Sequence, residues 1–430
     1  MTGMKAVILA AGEGSRIWPL AETKPKHLLP VAGKPLLGHS LSALAQNSIS
    51  NITLVVGFQG DMIQHALGTG RDYGVQLEYV KQPSWTGTAA ALGIVSRALE
   101  EDRFIVMYGD LMIDSNAISI LMEKATSAQN VMGVVSLPDV SRFGAVELYR
   151  DTVTKIDEKP SDRRPKPGLI NAGLYVLDRS VFDAIGKTKR SRRAEYELTT
   201  SLQLLIRKGQ VINAAIIPEP DWLDVGRPWD LLVANERALT RMQPLVLGTV
   251  EAGVTIKGQV SVDRGAVIKS GSYVEGPVYC GQGSRVGPHA RIRSFTSLEA
   301  DTVVGQSCDI KNSILMKGSK IPHLSYVGDS VIGEHCNLGA GTMTANVRFD
   351  KRSIRMTIKN RVVDSEMKKL GVMMGDHVET GINATLFPGV RIGSGAWIGP
   401  GVILSEDVPS GGVVLVKQRH VTTRRSVTID

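Results

Sequence analysis

The second half of the chain carries an apolar residue at every sixth position, without a break, over residues 250–310. A helix has a period of about 3.6 residues and a strand a period of about two, so neither produces this spacing. A six-residue period is typical of a parallel β-helix, in which each hexapeptide forms one flat side of a triangular coil and points its apolar residue inward. The series consists of Val250, Ile256, Val262, Ile268, Val274, Cys280, Val286, Ile292, Leu298, Val304 and Ile310.

The same period returns further along the chain. Met316 fits the first register, but the next member is Tyr326, so the pattern predicts four additional residues between them. Glycine follows several register positions, which suits sharp corners because glycine has no Cβ. We therefore predict a left-handed parallel β-helix over residues 245–416, followed by a basic tail at 417–430. The later register positions are Tyr326, Ile332, Leu338, Met374, Thr380, Leu386, Ile392, Ile398 and Leu404.

The first half has a different pattern, in which apolar strand-like runs at 6–10, 52–56 and 104–108 alternate with helix-like segments at 36–46 and 89–101. This alternation predicts a Rossmann-like α/β domain, a mostly parallel sheet covered by helices on both faces. The last helical pattern ends at Pro244, just before the six-residue period begins. We therefore place a first domain at residues 1–240.

Composition narrows the class of protein. A chain of 430 residues is too long for one hydrophobic core, so two domains are expected. No apolar run is long enough to span a bilayer, and no signal peptide precedes the first strand, which favours a cytoplasmic protein without a membrane partner. The three cysteines form no CxxC pair, which suits a reducing compartment. The net charge of +8 favours an enzyme of phosphorylated substrates over a nucleic-acid-binding protein.

The first chemical motif is LAAGEGSR at residues 9–16, directly after a strand. The backbone of Ala11, Gly12 and Gly14 could turn tightly and cradle a triphosphate with its N–H groups. A dinucleotide-binding turn would need a further glycine where Ile17 stands, and no Walker GKS or GKT follows. Arg16 and Lys26, in the continuation TKPKHLLPVAGKP, add cations that neutralise phosphate charge before an oxyanion attacks.

On these motifs, residues 4–235 resemble the sugar-1-phosphate nucleotidylyltransferases. The resemblance implies that Gly12 to Arg16 form the family's nucleotide loop and that Lys26 is its catalytic lysine. It also matches QPSWTGTA to the base-reading segment, with Gln82 and Gly87 at the spacing of thymidylyl and uridylyl enzymes. A glutamine can both donate to and accept from the imide edge of uracil or thymine, so UTP or dTTP is the expected nucleotide.

The same resemblance implies a metal site and a sugar pocket. Asp110 in YGDL follows an apolar strand, where open α/β sheets bind ligands, and Asp224 in WLDVG is the matching second carboxylate. Two hard oxygen ligands suit Mg²⁺ bridged by substrate phosphates. The resemblance assigns the sugar hydroxyls to three residues and the sugar phosphate to a fourth, namely Gly144, Glu158 and Asn171, and Lys159.

The interruption in the β-helix period contains His323, in KGSKIPHLSYVGD, and continues VIGEHCNLGAGTMTAN. This stretch resembles the acetyltransferase half of bifunctional GlmU-type enzymes, which acetylate glucosamine-1-phosphate with acetyl-CoA. The resemblance implies that His323 is the general base, a role that a neutral imidazole suits. It implies that Asn346 polarises the reacting groups or orients His323. The remaining implied roles are sugar-phosphate or acetyl contacts by Tyr326 and Asn337, phosphate binding by Arg293 and Lys311, and thioester binding by the Ala340 N–H.

Two positions depart from that family. Arg352 stands where the bacterial pattern has a second phosphate-binding lysine, and Ile382 stands where a serine usually meets coenzyme A. Residues 347–369 form a basic excursion outside the hexapeptide pattern, which either covers the site of a neighbouring subunit or is a disordered insertion. Hexapeptide-repeat acyltransferases are mostly trimers, so a homotrimer is expected.

The expected enzyme therefore transfers a uridylyl or thymidylyl group to a sugar-1-phosphate and an acetyl group to an amino-sugar-1-phosphate. Two alternatives stay open on the sequence. One is a nucleotidylyltransferase with a β-helix that only assembles or regulates it, of the thymidylyl, ADP-glucose or mannose-1-phosphate guanylyl kind, the last of which IWPL at 17–20 resembles. The other is a non-enzymatic scaffold of this fold, which would not need Arg16, Lys26, Asp110 and Asp224.

Overall fold

A computed structural model describes residues 3–84, 86–158, 166–191 and 194–423 of the protein. The chain divides into two compact units, Met1–Ala238 and Leu239–Asp430. Within the described residues, no helix is both long and apolar enough to cross a membrane.

The first unit is built on a nine-stranded sheet between two layers of helices. Its strands, in spatial order, are Gln76–Lys81, Asn51–Val56, Ala6–Ala10, Arg103–Tyr108, Gly168–Asp178, Asn130–Leu137, Ile212–Ile217, Thr152–Glu158 and Gly144–Tyr149. Its helices are Leu36–Gln46, Gly60–Leu67, Thr88–Gly93, Ser115–Lys124, Ser180–Lys187, Leu198–Arg207 and Asp230–Arg241. Short strands Pro30–Val31 and Lys34–Pro35 form a hairpin, and Leu111–Ile113 pairs with Trp222–Asp224.

The first four strands of this order are parallel, as the alternating pattern predicts. Every residue of Ala6–Ala10 is buried, because this strand has a parallel neighbour on each side and helices over both faces. Beyond Arg103–Tyr108 the sheet is mixed, so the prediction of a mostly parallel sheet holds for one half only. The helix expected over 89–101 is also shorter than predicted and covers Thr88–Gly93.

The second unit is a left-handed parallel β-helix with three flat faces. Face one consists of Thr249–Val250, Val267–Ile268, Arg285–Val286, Val303–Gln306, Lys320–His323, Asn337–Leu338, Glu379–Thr380, Trp397–Ile398 and Val413–Val414. Face two consists of Thr255–Lys257, Tyr273–Glu275, Arg291–Ile292, Asp309–Lys311, Tyr326–Gly328, Met343–Thr344, Thr385–Leu386 and Ile403–Leu404. Face three consists of Val260–Val262, Val278–Cys280, Thr296–Leu298, Ile314–Leu315, Val331–Ile332, Met373–Met374 and Arg391–Ile392.

The prediction that every sixth residue points into the coil is confirmed for residues 262–310. Val267 pairs with Arg285 and Arg285 with Val303, a step of eighteen residues, or three hexapeptides, per turn. The series is fully buried from Val262 to Ile310, whereas Ile256 in the first turn is partly exposed. The three cysteines are buried free thiols rather than a disulfide or zinc framework.

The predicted four-residue insertion before Tyr326 is wrong. Leu298 pairs with Leu315, Ile310 with Val327, and Leu315 with Ile332, so the inward positions are Leu315 and Val327 rather than Met316 and Tyr326. The coil is therefore shortened by one residue at two corners instead of being lengthened at one. The pattern misleads because residues 314–316 are all apolar and all fully buried, so the sequence does not show which of them points inward.

The excursion at 347–369 is an ordered β-hairpin, so the alternative of a disordered insertion is wrong. Arg355–Ile358 pairs antiparallel with Arg361–Asp364. Ile354 and Met356 are buried, and a Cβ added to Gly389 of the coil would lie 2.7 Å from Ile354 Cγ2. The hairpin therefore packs closely against its own coil.

Candidate active sites

The first site forms where the parallel strands of the first unit end. Strand Ala6–Ala10 leads into the glycine loop, and its neighbour Arg103–Tyr108 leads into Asp110, with Gly109 N donating to Leu9 O at 2.9 Å. Asp224 reaches the same edge because its strand pairs with Leu111–Ile113, and Val225 N donates to Asp110 O at 3.1 Å. Two carboxylates that are far apart in sequence are thus brought together.

An ion pair joins the buried Lys26 to the partly buried Asp110. Gly14 has a left-handed backbone, and a Cβ there would lie 3.2 Å from Lys26 Cβ, so the glycine loop packs on the lysine stem. Burial opposes ionisation of Asp110, but the adjacent Lys26 ammonium outweighs it and lowers the pKa of this carboxyl. Burial and the nearby charge of Asp110 raise the pKa of Asp224.

This pair of carboxyls fits a divalent cation. Two partly buried, mutually repelling carboxyls leave negative charge that the protein only partly compensates, and hard oxygen ligands are the ones that Mg²⁺ prefers. Among the described residues there is no cluster of three or more His, Cys, Asp or Glu side chains able to hold a metal. A magnesium ion at Asp110 and Asp224 would thus take its other ligands from substrate or water, as this ion usually does.

The predicted base-reading residues lie in a tightly packed segment. Gln82 is only 5% exposed, and within the described part of the chain neither its Oε1 nor its Nε2 has a hydrogen-bond partner. Gly87 has a φ of 115°, and a Cβ there would collide with the backbone of Tyr196, whose carbonyl accepts a bond from Ala89 N at 2.8 Å. Sequence reasoning missed Tyr196, which contributes through its backbone and carries no motif.

The predicted sugar-pocket residues also converge. Gly144 pairs with Glu158 across a hairpin, and a Cβ on Gly144 would lie 3.0 Å from Glu158 Oε2 and 3.7 Å from Asn171 Cβ. The fourth predicted residue, Lys159, lies outside the described residues. Tyr108 and Tyr175, which sequence reasoning missed, join their hydroxyls at 3.2 Å beside this pocket, and burial raises the pKa of Tyr108 to about 12.

A third, partly buried carboxyl, Asp230, stands close to Asp224 and was not predicted from the sequence. Its Oδ2 accepts bonds from Gly226 N at 3.1 Å and Arg227 N at 2.7 Å, which fixes the turn that follows Asp224. Burial and the nearby Asp224 raise the pKa of Asp230 to about 7. The sequence feature that could have identified Asp230 is its position as the first residue of helix Asp230–Arg241, where a carboxylate is common.

The second site lies at the corner between faces one and two of the β-helix. His323 is exposed at the end of its face-one strand, and Tyr326 begins the next strand on face two. Tyr326 pairs with Asp309, and Asp309 Oδ2 lies 4.0 Å from Arg293 Nη1. Burial and the nearby Asp329 raise the pKa of the Tyr326 hydroxyl.

Asn346 lies in the same region, and its side-chain bonds do not support the alternative that it orients His323. Its Nδ2 donates to Tyr326 Oη at 3.1 Å and to Asp329, and neither bond is to His323. Lys311 Nζ also donates to Asp329, at 3.1 and 3.2 Å to its two oxygens. Asp329 is a buried carboxylate that sequence reasoning missed, although it is the last residue of the quoted motif KGSKIPHLSYVGD.

The remaining predicted residues lie on neighbouring coils. Asn337 is exposed on face one and pairs with Lys320 of the His323 strand. Ala340 lies at the following corner, where its carbonyl oxygen accepts a hydrogen bond from Asn383 N at 2.8 Å. Asn383 directly follows the exposed Ile382 in the sequence. Arg352 is exposed in the turn that leads into the hairpin.

Known protein families match both units of the chain. The Nucleotidyl transferase family matches residues 5–241, and the GMPPB C-terminal domain family matches residues 274–428. A solved structure of a putative glucose-1-phosphate thymidylyltransferase from Bacillus anthracis, in complex with a sucrose, is 31% identical with a TM-score of 0.50 and covers 56% of this chain and 97% of its own. The fold and first site therefore define a nucleotidyl transferase extended by a β-helix.

Full-length relatives narrow the class further. The bifunctional protein GlmU of Methanocaldococcus jannaschii is 39% identical over 412 residues, 96% of this chain and 97% of that protein. A bifunctional sugar-1-phosphate nucleotidylyltransferase/acetyltransferase of Sulfurisphaera tokodaii is 38% identical over 416 residues, 95% of this chain and 99% of that protein. The chain belongs to this family of bifunctional GlmU-type enzymes.

The raised pKa of Asp230 predicts a pH dependence of stability. A carboxyl whose pKa is about 7 when folded and about 4 when unfolded binds more protons in the folded state, so stability is lost as the pH rises from about 4 to about 7. Asp230→Asn removes the charge and keeps an oxygen for both backbone bonds. In metal-free buffer at pH 8, thermal unfolding of the first unit should occur at a higher temperature in this variant than in the wild type, with a smaller difference at pH 5. A variant that unfolds earlier at pH 8 would contradict this assignment.

Proposed function

We propose that the first unit transfers a uridylyl or thymidylyl group from UTP or dTTP to a sugar-1-phosphate, and that the second unit acetylates an amino-sugar-1-phosphate with acetyl-CoA. The observation that carries the proposal is similarity to bifunctional relatives over 95% or more of the chain. Glucosamine-1-phosphate is the expected acetyl acceptor, and N-acetylglucosamine-1-phosphate or glucose-1-phosphate the expected nucleotidyl acceptor.

In the nucleotidyl reaction, a phosphate oxygen of the sugar-1-phosphate attacks the α-phosphorus and pyrophosphate leaves. The glycine loop at 11–16 binds the triphosphate through its N–H groups, and Arg16 and Lys26 stabilise the negative charge that develops. An ammonium has three N–H donors, so Lys26 keeps donors for phosphate oxygens while one is directed to Asp110. Asp110 and Asp224 would hold Mg²⁺, which supplies further positive charge to the phosphates when bound.

In the acetyl reaction, His323 takes a proton from the ammonium group of the sugar, which frees the nitrogen lone pair to form a bond to the thioester carbonyl carbon. The carbon–sulfur bond breaks, the thiolate leaves and receives that proton from His323, and the acylated nitrogen releases its one remaining additional proton to solvent. Tyr326, Asn337, Arg293 and Lys311 bind the sugar phosphate, and the Ala340 N–H binds the thioester oxygen. The exposure of His323 at a corner supports this role because both substrates can reach it.

The monofunctional alternative draws support from the C-terminal family match, which bears the name of a GMPPB domain. It is not favoured, because the relatives that align over 95% or more of this chain are named bifunctional. A glucose-1-phosphate thymidylyltransferase of Streptomyces griseus is 32% identical over 334 residues, 77% of this chain. This relative favours a pyrimidine nucleotide over a purine at the first site.

We also propose a homotrimer that packs through face two. Met343, Thr385 and Ile403 lie in register on this face, and both Met343 and Ile403 are exposed, as is Phe349 at the start of the excursion. Exposed large apolar side chains that share one face, as Met343 and Ile403 do, are a feature of protein interaction surfaces. In a trimer, the basic hairpin of one subunit could cover the His323 corner of the next.

The base pocket gives the first prediction of the proposed function. Because Gln82 is buried without a partner, a nucleotide base that cannot satisfy it leaves buried polar groups unpaired, which costs about 1–3 kcal/mol per group. UTP or dTTP should therefore exceed ATP and GTP at least about tenfold in kcat/KM, and Gln82→Leu should shrink that preference. Pyrophosphate release measured with the four nucleotides tests this. Preference for GTP or ATP would favour the guanylyl or adenylyl alternative.

The independence of the two sites gives a second prediction, with each variant serving as the control for the other. Asp110→Asn should lower nucleotidyl transfer by orders of magnitude and leave acetyl transfer nearly intact, because the second unit does not use this carboxylate. His323→Ala should do the reverse, because without a base the ammonium form of the sugar has no nucleophilic lone pair. Pyrophosphate and thiol release are measured on both variants. Equal loss of both activities in either variant would indicate misfolding and contradict the assignment.

The proposed trimer gives a third prediction. The wild type should show about three times the monomer mass of 46.3 kDa by light scattering. Met343→Glu combined with Ile403→Glu should shift the protein toward the monomer, because a desolvated carboxylate at an interface is costly. Val211→Glu, at an exposed apolar position of the first unit, is the matched control. A wild type of monomer mass would overturn the trimer.

A further inference from the structure

Asp329 is the most extensively bonded buried carboxylate of the second site. It follows the face-two strand Tyr326–Gly328 with a left-handed backbone, at a φ of 51°, and is 2% exposed. Its oxygens accept bonds from Lys311 Nζ, from Asn312 Nδ2 at 2.7 Å and from Asn346 Nδ2. Lys311 and Asn312 belong to the preceding coil, whereas Asn346 belongs to the following one. One carboxylate thus connects residues of three coils.

The chemistry of Asp329 decides how the Asn346 amide is oriented. An ionised carboxylate can only accept hydrogen bonds, so the amide atom that faces it must be the NH₂ group. The second hydrogen of that group points to Tyr326 Oη, at 3.1 Å. With both amide hydrogens engaged, Asn346 has its carbonyl oxygen left for a ligand. Since the Tyr326 oxygen accepts a bond, its own O–H is available to donate.

Gly328 makes this junction possible. A Cβ at this position would collide with the Tyr326 hydroxyl and would lie 2.8 Å from Asn346 Nδ2. The backbone of Gly328 does not require glycine, since its φ is not in the positive range that favours glycine. The space is therefore needed for the contact between Tyr326 and Asn346, which is a feature of the site and not of the turn.

We propose that Asp329 is a positioning residue of the acetyl-transfer site. It fixes the direction of the hydrogen bonds so that Tyr326 presents a donor and Asn346 presents an acceptor to the amino-sugar phosphate. This pair suits a ligand that has both an oxygen acceptor and an N–H donor, as an amino-sugar phosphate does. Asp329 also holds the Lys311 ammonium in place at the same site. The inference rests on the acetyl transfer proposed above.

A carboxylate that only fastened the coils together would have a different effect from one that orients the site. Loss of a purely structural contact between the coils lowers the folded fraction of the enzyme, which lowers the apparent kcat and leaves KM unchanged. Loss of orientation weakens the binding of the sugar and raises its KM. An asparagine at position 329 keeps the size of the side chain but can present either amide atom to Asn346, so the direction of the bonds is no longer fixed.

The test compares Asp329→Asn with Asp407→Asn in the full-length protein. Asp407 is a suitable control because its carboxylate also accepts bonds from a cation within the β-helix, from Arg391 Nε at 3.0 Å and Nη2 at 2.7 Å. The probes are glucosamine-1-phosphate and acetyl-CoA, with thiol release measured. Asp329→Asn should raise the KM for the sugar phosphate at least about tenfold, the order expected for a lost charged hydrogen bond. The KM for acetyl-CoA, nucleotidyl transfer and all constants of Asp407→Asn should stay within about twofold of the wild type.

Gly328→Ala provides an independent variant that leaves the charge in place, and it should also raise the KM for the sugar phosphate. If either variant folds, as judged by the thermal unfolding of its β-helix, and keeps the wild-type KM, the positioning role is overturned. If the wild type itself acetylates no amino-sugar phosphate, the proposed function fails, and the role of Asp329 with it. That result is distinct from an active wild type with an unaffected Asp329→Asn variant.

Discussion

A carboxylate removed from water has to be met by cations or N–H donors, because its desolvation costs several kcal/mol that only such partners can offset. Both candidate sites are organised around this requirement. In the first unit, Lys26 meets Asp110 at the end of the parallel strands. In the second unit, Lys311, Asn312 and Asn346 meet Asp329 between coils. In each case the pairing fixes a lysine whose remaining donors are directed to a phosphate-bearing substrate in the proposed function.

The two units bring their residues together by different means. In the sheet of the first unit, parallel strands end at one edge, so Asp110 and Asp224 meet although more than a hundred residues separate them. In the β-helix, residues one coil apart lie side by side, so Arg291, Asp309, Tyr326 and Met343 form one column on face two. A short stretch of chain can therefore supply most of one site, as residues 309–346 do.

This difference explains what the sequence predicted well. The β-helix was predictable because its period is fixed by the coil, and the inward positions are buried as expected. The motifs of the first site were predictable because glycine loops and strand-end carboxylates have local signatures. The register near Met316 was not, since three consecutive apolar residues leave the inward position undetermined. The hairpin at 355–364 was not predicted either, because its charged strands lack a clear alternation.

The missed residues share a physical reason. Asp230, Asp329 and Tyr196 have roles that depend on burial and on partners that lie on other strands, coils or loops. From the sequence alone, a single aspartate next to glycine is expected to be a solvated surface residue, because its neighbours in space are not known. The raised pKa of Asp230 and the three donors on Asp329 follow from packing, which no local motif records.

The central claim is that one chain performs two group transfers, and a single incubation of the wild type tests it most directly. The protein is supplied with glucosamine-1-phosphate, acetyl-CoA, Mg²⁺ and either UTP or dTTP, and the products are identified by mass spectrometry. The account predicts a nucleotide-linked N-acetylamino sugar, with free thiol and pyrophosphate released in step. Pyrophosphate release without any thiol release, across amino-sugar phosphates of both gluco and galacto configuration, would contradict it and leave the β-helix as an assembly domain.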